Sequence, residues 1–221
     1  MILDTTSLMK TINNVNEKFI FGEEIPQEAA LEAARWIVTR QGGKGSYRNM
    51  FAPTVSDFEQ GIRLFTGERL VSASARHIMG QEAARATWLL GSQDPTVRNA
   101  YQRATEWMHE TQDFQQLGTY CCGRGTLAYW RHFSVGDFVN KESQISKGLQ
   151  VMSDCRTRDG KWRTFPFFYA VYTLLDLNLK PAYAELKYAR PVMEKYLKNT
   201  RAGDFSKRRA VIFQKALDLI S

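Results

Sequence analysis

Cysteine is scarce in this chain, with three among 221 residues, two of them adjacent at Cys121 and Cys122. An odd count with a neighbouring pair argues against a disulfide framework and for a reducing compartment. Long apolar runs are missing too. None reaches the ~18 residues that a membrane-spanning helix requires, so no transmembrane segment is expected. The opening MILDTTSLMK lacks the basic-then-apolar order of a secretory leader, which makes the cytoplasm the expected location. No convincing alternation of apolar and polar residues marks a β-strand. Carboxylates are the minority charge, 23 Asp and Glu against 30 Lys and Arg, for a net charge of +7. That excess favours anionic partners such as phosphates, nucleic acid or acidic membrane surface. Yet Lys207-Arg208-Arg209 is the only basic run of three, and the plainer reading is a solvated basic surface. With no helix-turn-helix, zinc-finger or RNA-binding signature, nucleic acid is the weakest of these partner classes.

What the sequence does contain is helix. Its 43% hydrophobic and 24% charged residues are ordinary for a globular protein, and the length suits a single domain that buries a core without staples. Pro26 with Glu28 opens a helix that runs to about Arg40, where Gly42-Gly43-Lys44-Gly45 stops it. Residues 46–74 read as an irregular insertion holding a short helix over Val55 to Phe65. Further helices are expected over Ala75–Leu90, Thr96–Glu110, Cys122–Phe133, Glu142–Asp154, a segment from Pro166 to Leu177, Pro181–Lys198 and Lys207–Ile220.

These helices form a repeat. An amphipathic helix is followed by a polar turn with a Gly-x-aromatic tripeptide and then by a greasier helix. The turns are Gly45-Ser46-Tyr47, Gly118-Thr119-Tyr120 and Gly160-Lys161-Trp162. The last two aromatics are 42 residues apart and the first two 73, because the insertion intervenes. In Phe165–Leu177 the rings of Phe165, Phe167, Phe168, Tyr169 and Tyr172 surround the helix, and a helix apolar on every side must be enclosed. Phe165–Leu177, Ala83–Leu90 and Thr126–Phe133 are therefore expected as inner helices, with the amphipathic ones outside. The fold class is all-α: stacked helical hairpins in inner and outer layers, forming a partial α/α toroid.

The segment Trp36-Ile37-Val38-Thr39-Arg40-Gln41 followed by Gly45-Ser46-Tyr47 resembles the recurring segment of terpenoid cyclases, in which an outer helix ends in glutamine before Gly-x-Trp. Lys147-Gly148-Leu149 with Asp159-Gly160-Lys161-Trp162 looks like a second copy without the glutamine. The likeness extends to the α/α-toroid proteins generally, protein prenyltransferase β subunits and lanthionine-forming cyclases included, and covers about residues 25–200. It implies concentric helix layers and, if the chain is an enzyme, a divergent transferase or cyclase. The signatures of those enzymes are lacking: there is no Asp-x-Asp-Asp motif, no spaced Asp-x-Cys and no Cys-His-Gly. Seven to ten helices are also fewer than a closed ring of about twelve. An open end would expose inner-helix surface and calls for a terminal cap or a homodimer.

Two residues are candidates for catalysis. Cys122 opens an inner helix, where a thiolate is stabilised; the plainer reading of Cys121 and Cys122 is small core residues. Zinc held by cysteine, Cys155 and His132 is a further alternative. However, His132 lies ~15 Å along the same helix, beyond the reach of one ion, so no cofactor is expected. His77, at the start of another inner helix, has the chemistry of an acid or base or simply packs. For ligand binding, Arg76, Arg124 and Arg163 belong to a set of basic residues at the turns, whose gathering would make an anion-binding mouth. Behind it, Trp130, Phe168, Tyr169 and Tyr172 are expected to line an apolar centre. The functional expectation is a protein that binds an anionic hydrophobic small molecule. The alternative is a non-catalytic helical-repeat module that holds a peptide or protein.

Overall fold

Ser7 begins the first helix, α1 (Leu8–Phe21), by accepting the Lys10 N–H at its N-cap, and Gly22 ends it in the left-handed region at φ 69°. The computed structural model describes residues 1–71, 74–110 and 112–221, and only the backbone of residues 109, 110, 112, 113 and 115. Sequence periodicity had not indicated α1. Its buried face, Leu8, Met9, Thr11, Ile12, Val15, Asn16 and Ile20, includes polar residues that blur the apolar stripe. Ten further α-helices follow among the described residues. They are α2 (Gln27–Val38), α3 (Val55–Gln60), α4 (Ser74–Gly91), α5 (Pro95–Thr105), α6 (Gln112–Leu117), α7 (Gly123–Val135), α8 (Lys141–Asp154), α9 (Phe167–Leu177), α10 (Lys180–Lys198) and α11 (Asp204–Leu219). A 3-10 segment, Glu106–Glu110, extends α5. Among the described residues the one β-ribbon is β1 (Ile62–Arg63) against β2 (Arg69–Leu70), pairing Ile62 with Leu70. The protein is all-α and built of packed helical hairpins. No helix among the described residues is long and apolar enough to cross a membrane.

The chain divides into two compact units, the first comprising Met1–Phe65, Arg69–Thr111 and Val135–Asp137, the second Thr66–Glu68, Gln112–Ser134 and Phe138–Ser221. In the first, α4 is the inner helix: α1, α2 and α5 all pack on it, and its residues from His77 to Thr87 are buried. Its polar side chains have partners. Arg85 donates to Asn16 Oδ1 of α1 at 3.0 Å, and Thr87 donates to the Ala83 carbonyl at 2.8 Å. Ala83, Ala84 and Ala86 present little bulk, so neighbouring helices approach closely.

In the second unit the enclosed helices are α7 and α9. Of α7, Leu127, Ala128, Tyr129, Trp130, Arg131 and His132 are all fully buried. Helix α9 packs against α10 and α11, and Tyr169 through Leu174 are buried. The greasy segment is thus an inner helix of its unit. Its N-cap, Pro166, offers no side-chain acceptor; Glu68 Oε1 instead accepts the Tyr169 N–H at 3.0 Å.

The Gly-x-aromatic turns share one geometry. Gly45, Gly118 and Gly160 all have positive φ, 90°, 68° and 80°, a region open to glycine at no steric cost. Isolated bridges, Gln41 with Phe51 and Arg156 with Trp162, close the first and third loops. Each aromatic then docks on helix: Tyr47 against His77 of α4, Tyr120 stacked on Tyr129 of α7, and Trp162 donating its indole N–H to Glu185 of α10 at 2.8 Å.

Candidate functional site

Within the stretch 46–74 expected as an insertion, residues 57–71 build one wall of a groove in the first unit. Thr54 starts α3 with a capping box, its side chain accepting from Asp57 N–H while the Asp57 carboxylate accepts from Thr54 N–H. The same carboxylate accepts from Ser7 Oγ at 2.5 Å and from the N–H groups of Leu8 and Met9, both at 3.1 Å. Asp57 therefore joins α3 to the N-terminus of α1, its oxygens engaged by four donors, Ser7 Oγ and the N–H groups of Leu8, Met9 and Thr54. Beyond α3, the ribbon turns Ile62, Arg69 and Leu70 toward the start of α4.

Between these pieces lies a groove of about 580 Å³ lined by Asp57, Phe58, Gly61, Ile62, Arg69, Leu70, Val71, Ala75 and Arg76. Its apolar members are a ring, three branched aliphatics and an alanine. Its cations are Arg69 and Arg76. Neither guanidinium has a carboxylate partner among the described residues. Arg76 lies over the Phe58 ring, 5.4 Å from its centroid, a contact that orients it without neutralising it. Of the residues named from sequence, only Arg76 lines this groove. Arg69, Phe58, Ile62, Leu70 and Val71 carry a single sequence signal, a long irregular stretch interrupting a repeat, where binding residues concentrate.

His77, next to Arg76 in sequence, turns the other way. It is 3% exposed, within 3.0 Å of Gln81 Nε2, and packed between Tyr47 and Trp107 at centroid distances of 4.6 and 5.9 Å. Burial, with the Arg48 guanidinium nearby, lowers its pKa to about 4. At neutral pH it is an uncharged ring among aromatics.

The other named residues belong to the second unit. Trp130 is buried, donating its indole N–H to the Gly118 carbonyl at 2.6 Å and stacking on Phe165. Tyr169 and Tyr172 face the buried Arg131, whose guanidinium sits 3.9 Å from the Tyr172 centroid and pairs with Asp176. Phe168 is half-buried, with Arg209 3.8 Å above its ring and Phe213 stacked beside it. The faces expected to line a ligand chamber are thus occupied by the protein's own side chains. Arg124 is half-buried at the start of α7, and Arg163 is exposed, its backbone N–H donating to the Cys155 carbonyl at 3.0 Å.

The three cysteines do come together. Cys121, Cys122 and Cys155 line a second groove, of about 320 Å³, with Leu117, Tyr120, Val151, Thr164 and Phe165 among its walls. The two adjacent cysteines are exposed and all three are free thiols, so the small-core-residue reading does not describe Cys121 and Cys122. Thr126 pins the turn to α7 by reciprocal hydrogen bonds with Tyr120, 2.9 and 2.7 Å long. Cys122 Sγ accepts the Gly125 N–H at 3.4 Å, and the Cys121 thiol lies 3.7 Å from Cys122 Sγ. Cys121 has φ 32°, a left-handed conformation that costs a non-glycine residue about 1–2 kcal/mol. A Cβ at Gly125 would displace Cys121 Sγ from this position. Burial, and then repulsion from Cys122, push the Cys121 thiol up to about 11. His132 is buried and meets Phe138 edge-on at 6.0 Å, and it does not line the cysteine groove. Among the described residues no cluster of three or more His, Cys, Asp and Glu side chains is arranged to hold a metal ion.

Comparison of the chain with protein-family models, with curated proteins and with solved structures finds no match.

Proposed function

We propose that this chain binds an apolar small molecule with an anionic head, a long-chain carboxylate, sulfate or phosphate, in the groove at Arg69 and Arg76. The observation that carries this reading is the pair of guanidinium groups without carboxylate partners beside apolar walls. An unpaired guanidinium at a surface groove recruits carboxylate or phosphate through its forked donors, while Phe58, Ile62, Leu70 and Val71 take the tail. The one acid in the lining, Asp57, is buried with its oxygens engaged by Ser7, Leu8, Met9 and Thr54, and the two arginines outweigh its single charge. The turn-and-helix likeness to terpenoid cyclases and prenyltransferases favours the same ligand class, of which an isoprenoid diphosphate is one member. Catalysis is not part of the proposal, because no acid, base or metal-binding residue lines this groove apart from the buried Asp57.

Calorimetric titration with dodecyl phosphate tests it. Binding on the order of 10 µM is expected, and Arg69→Glu and Arg76→Glu should each weaken it at least ~10-fold, or ~1.4 kcal/mol. Lys161→Glu, in a surface pair with Asp159, should leave it unchanged. No binding by the wild type, or equal binding by both charge reversals, rejects the reading. The second reading, an acidic peptide with apolar side chains, is favoured by the exposure of Phe58 and Val71, 49% and 76%, at the rim. A peptide occupant would bind where dodecyl phosphate does not.

A further inference from the structure

We infer that Cys121 and Cys122, with the groove around them, form a thiol–disulfide exchange site for a small apolar disulfide. This site lies in the second unit and does not depend on the Arg69–Arg76 groove. Three features point to it. Both residues are exposed and their sulfurs lie 3.7 Å apart, nearly in contact. They open onto a groove of about 320 Å³ walled by Leu117, Tyr120, Val151 and Phe165, so an apolar or aromatic substituent on the substrate has a seat. And the arrangement is held in place against its own strain: the left-handed backbone at Cys121 is locked by the Tyr120–Thr126 hydrogen bonds, and Gly125 leaves room for the two sulfurs. Outlying backbone geometry maintained by surrounding structure is a mark of functional sites.

The two sulfurs have unlike surroundings, and this assigns their roles. Cys122 Sγ receives the Gly125 N–H at the first turn of α7, which holds that sulfur in place at the mouth of the groove. It is the attacking group. Its thiolate displaces one sulfur of R–S–S–R, forming a Cys122–S–S–R mixed disulfide and releasing RS⁻, which takes up a proton. Cys121 resolves. While Cys122 is ionised its charge opposes ionisation of Cys121; once Cys122 is in the mixed disulfide that repulsion is gone. Cys121 then gives its proton to water and attacks Cys122 Sγ, expelling the second RS⁻. The sum is two protein thiols and one R–S–S–R converted to one protein disulfide and two RSH, with no other oxidant. Neighbouring cysteines have Cα atoms ~3.8 Å apart, short of the about 4.4–6.8 Å of most bridged pairs. The bond formed is therefore readily reduced, and the site returns the disulfide to the next thiol it meets.

The test uses the full chain carrying Cys155→Ser, with dipyridyl disulfide as the probe and released thiopyridone read by absorbance. The expected result is two thiopyridones per chain, a protein mass lower by two hydrogens, and a peptide map that joins positions 121 and 122. Adding Cys121→Ser should stop the reaction at one thiopyridone, with a pyridyl group retained on Cys122. Adding Cys122→Ser instead should slow the first release at least ~10-fold. Circular dichroism of each variant checks that it folds as the wild type does. The proposal is overturned if the parent retains pyridyl groups on both cysteines instead of joining them, or if Cys121 reacts as fast with Cys122 removed. In the wild type, Cys155 reacting ahead of Cys122 would also overturn it.

Discussion

Burial between Tyr47 and Trp107, aided by the Arg48 guanidinium, holds the His77 imidazole neutral with a pKa near 4 against an ordinary 6.5. Between those values the unfolded chain binds the proton and the folded chain does not. The stabilising contribution is complete above pH 6.5 and is lost as pH falls toward 4, at ~1.4 kcal/mol per pH unit. Urea unfolding at pH 7 and pH 5 should show a loss of about 2 kcal/mol that His77→Gln largely removes. Equal slopes in the two proteins would refute the burial argument. Trp162 makes a second residue-scale prediction. Its indole N–H and the Arg156 guanidinium share the buried Glu185 carboxylate, at 2.8 Å each for the closest contacts. Trp162→Phe keeps the ring but leaves the carboxylate one donor short, and should cost about 1–2 kcal/mol in the same measurement. A glycine, one residue and an aromatic announce a plugged turn; that the plug carries a hydrogen bond to an acid 23 residues on is written in no local pattern.

Helix α1 depends on residues far from it. Its first N–H groups are accepted by Asp57, which lies 49 residues from Leu8. Asp57→Asn turns an acceptor into a partial donor against four protein donors beyond Thr54 Oγ and should destabilise by about 2–3 kcal/mol. Ser7→Ala, which removes the local cap and one of the donors to Asp57, should cost less, about 1–2 kcal/mol. Thermal unfolding of both variants checks the order. That dependence explains why α1 is hard to read from sequence: part of its capping comes from the distant Asp57 and its buried face is part polar. Helices α2, α4, α5, α7, α8, α9, α10 and α11 were legible to within a few residues, because proline and acid near their starts and the period of their apolar residues are local signals. Helix α9 was legible even as an inner helix, since rings on all sides leave water no face to wet.

Across the whole molecule the excess of positive charge is spread widely and mostly solvated, with surface pairs such as Arg190–Glu194 and Lys161–Asp159 mixed in. The functional consequence is local: two guanidiniums at one groove keep their charge unspent. Dodecyl phosphate binding should therefore weaken several-fold from 0.05 M to 0.5 M salt, as screening shortens to below ~10 Å. Binding of dodecanol to the same apolar walls should not weaken. A calorimetric salt series on both ligands decides this, and identical salt slopes would show the arginines to be bystanders. Of the candidate site, only Arg76 was visible beforehand, because Arg69, Phe58 and Val71 acquire meaning only when a short ribbon folds against the start of α4.

The order of apolar and polar residues along the chain determined the helical class, the Gly-x-aromatic turns and which helices are inner ones, since each follows from neighbours within a few residues. Tertiary structure alone decided what those helices enclose and where the openings fall. It filled the faces of Tyr169 and Tyr172 with Arg131, buried His77, and gathered three cysteines from two segments into one groove. Those outcomes depend on contacts between residues tens of positions apart, which periodicity and capping do not encode.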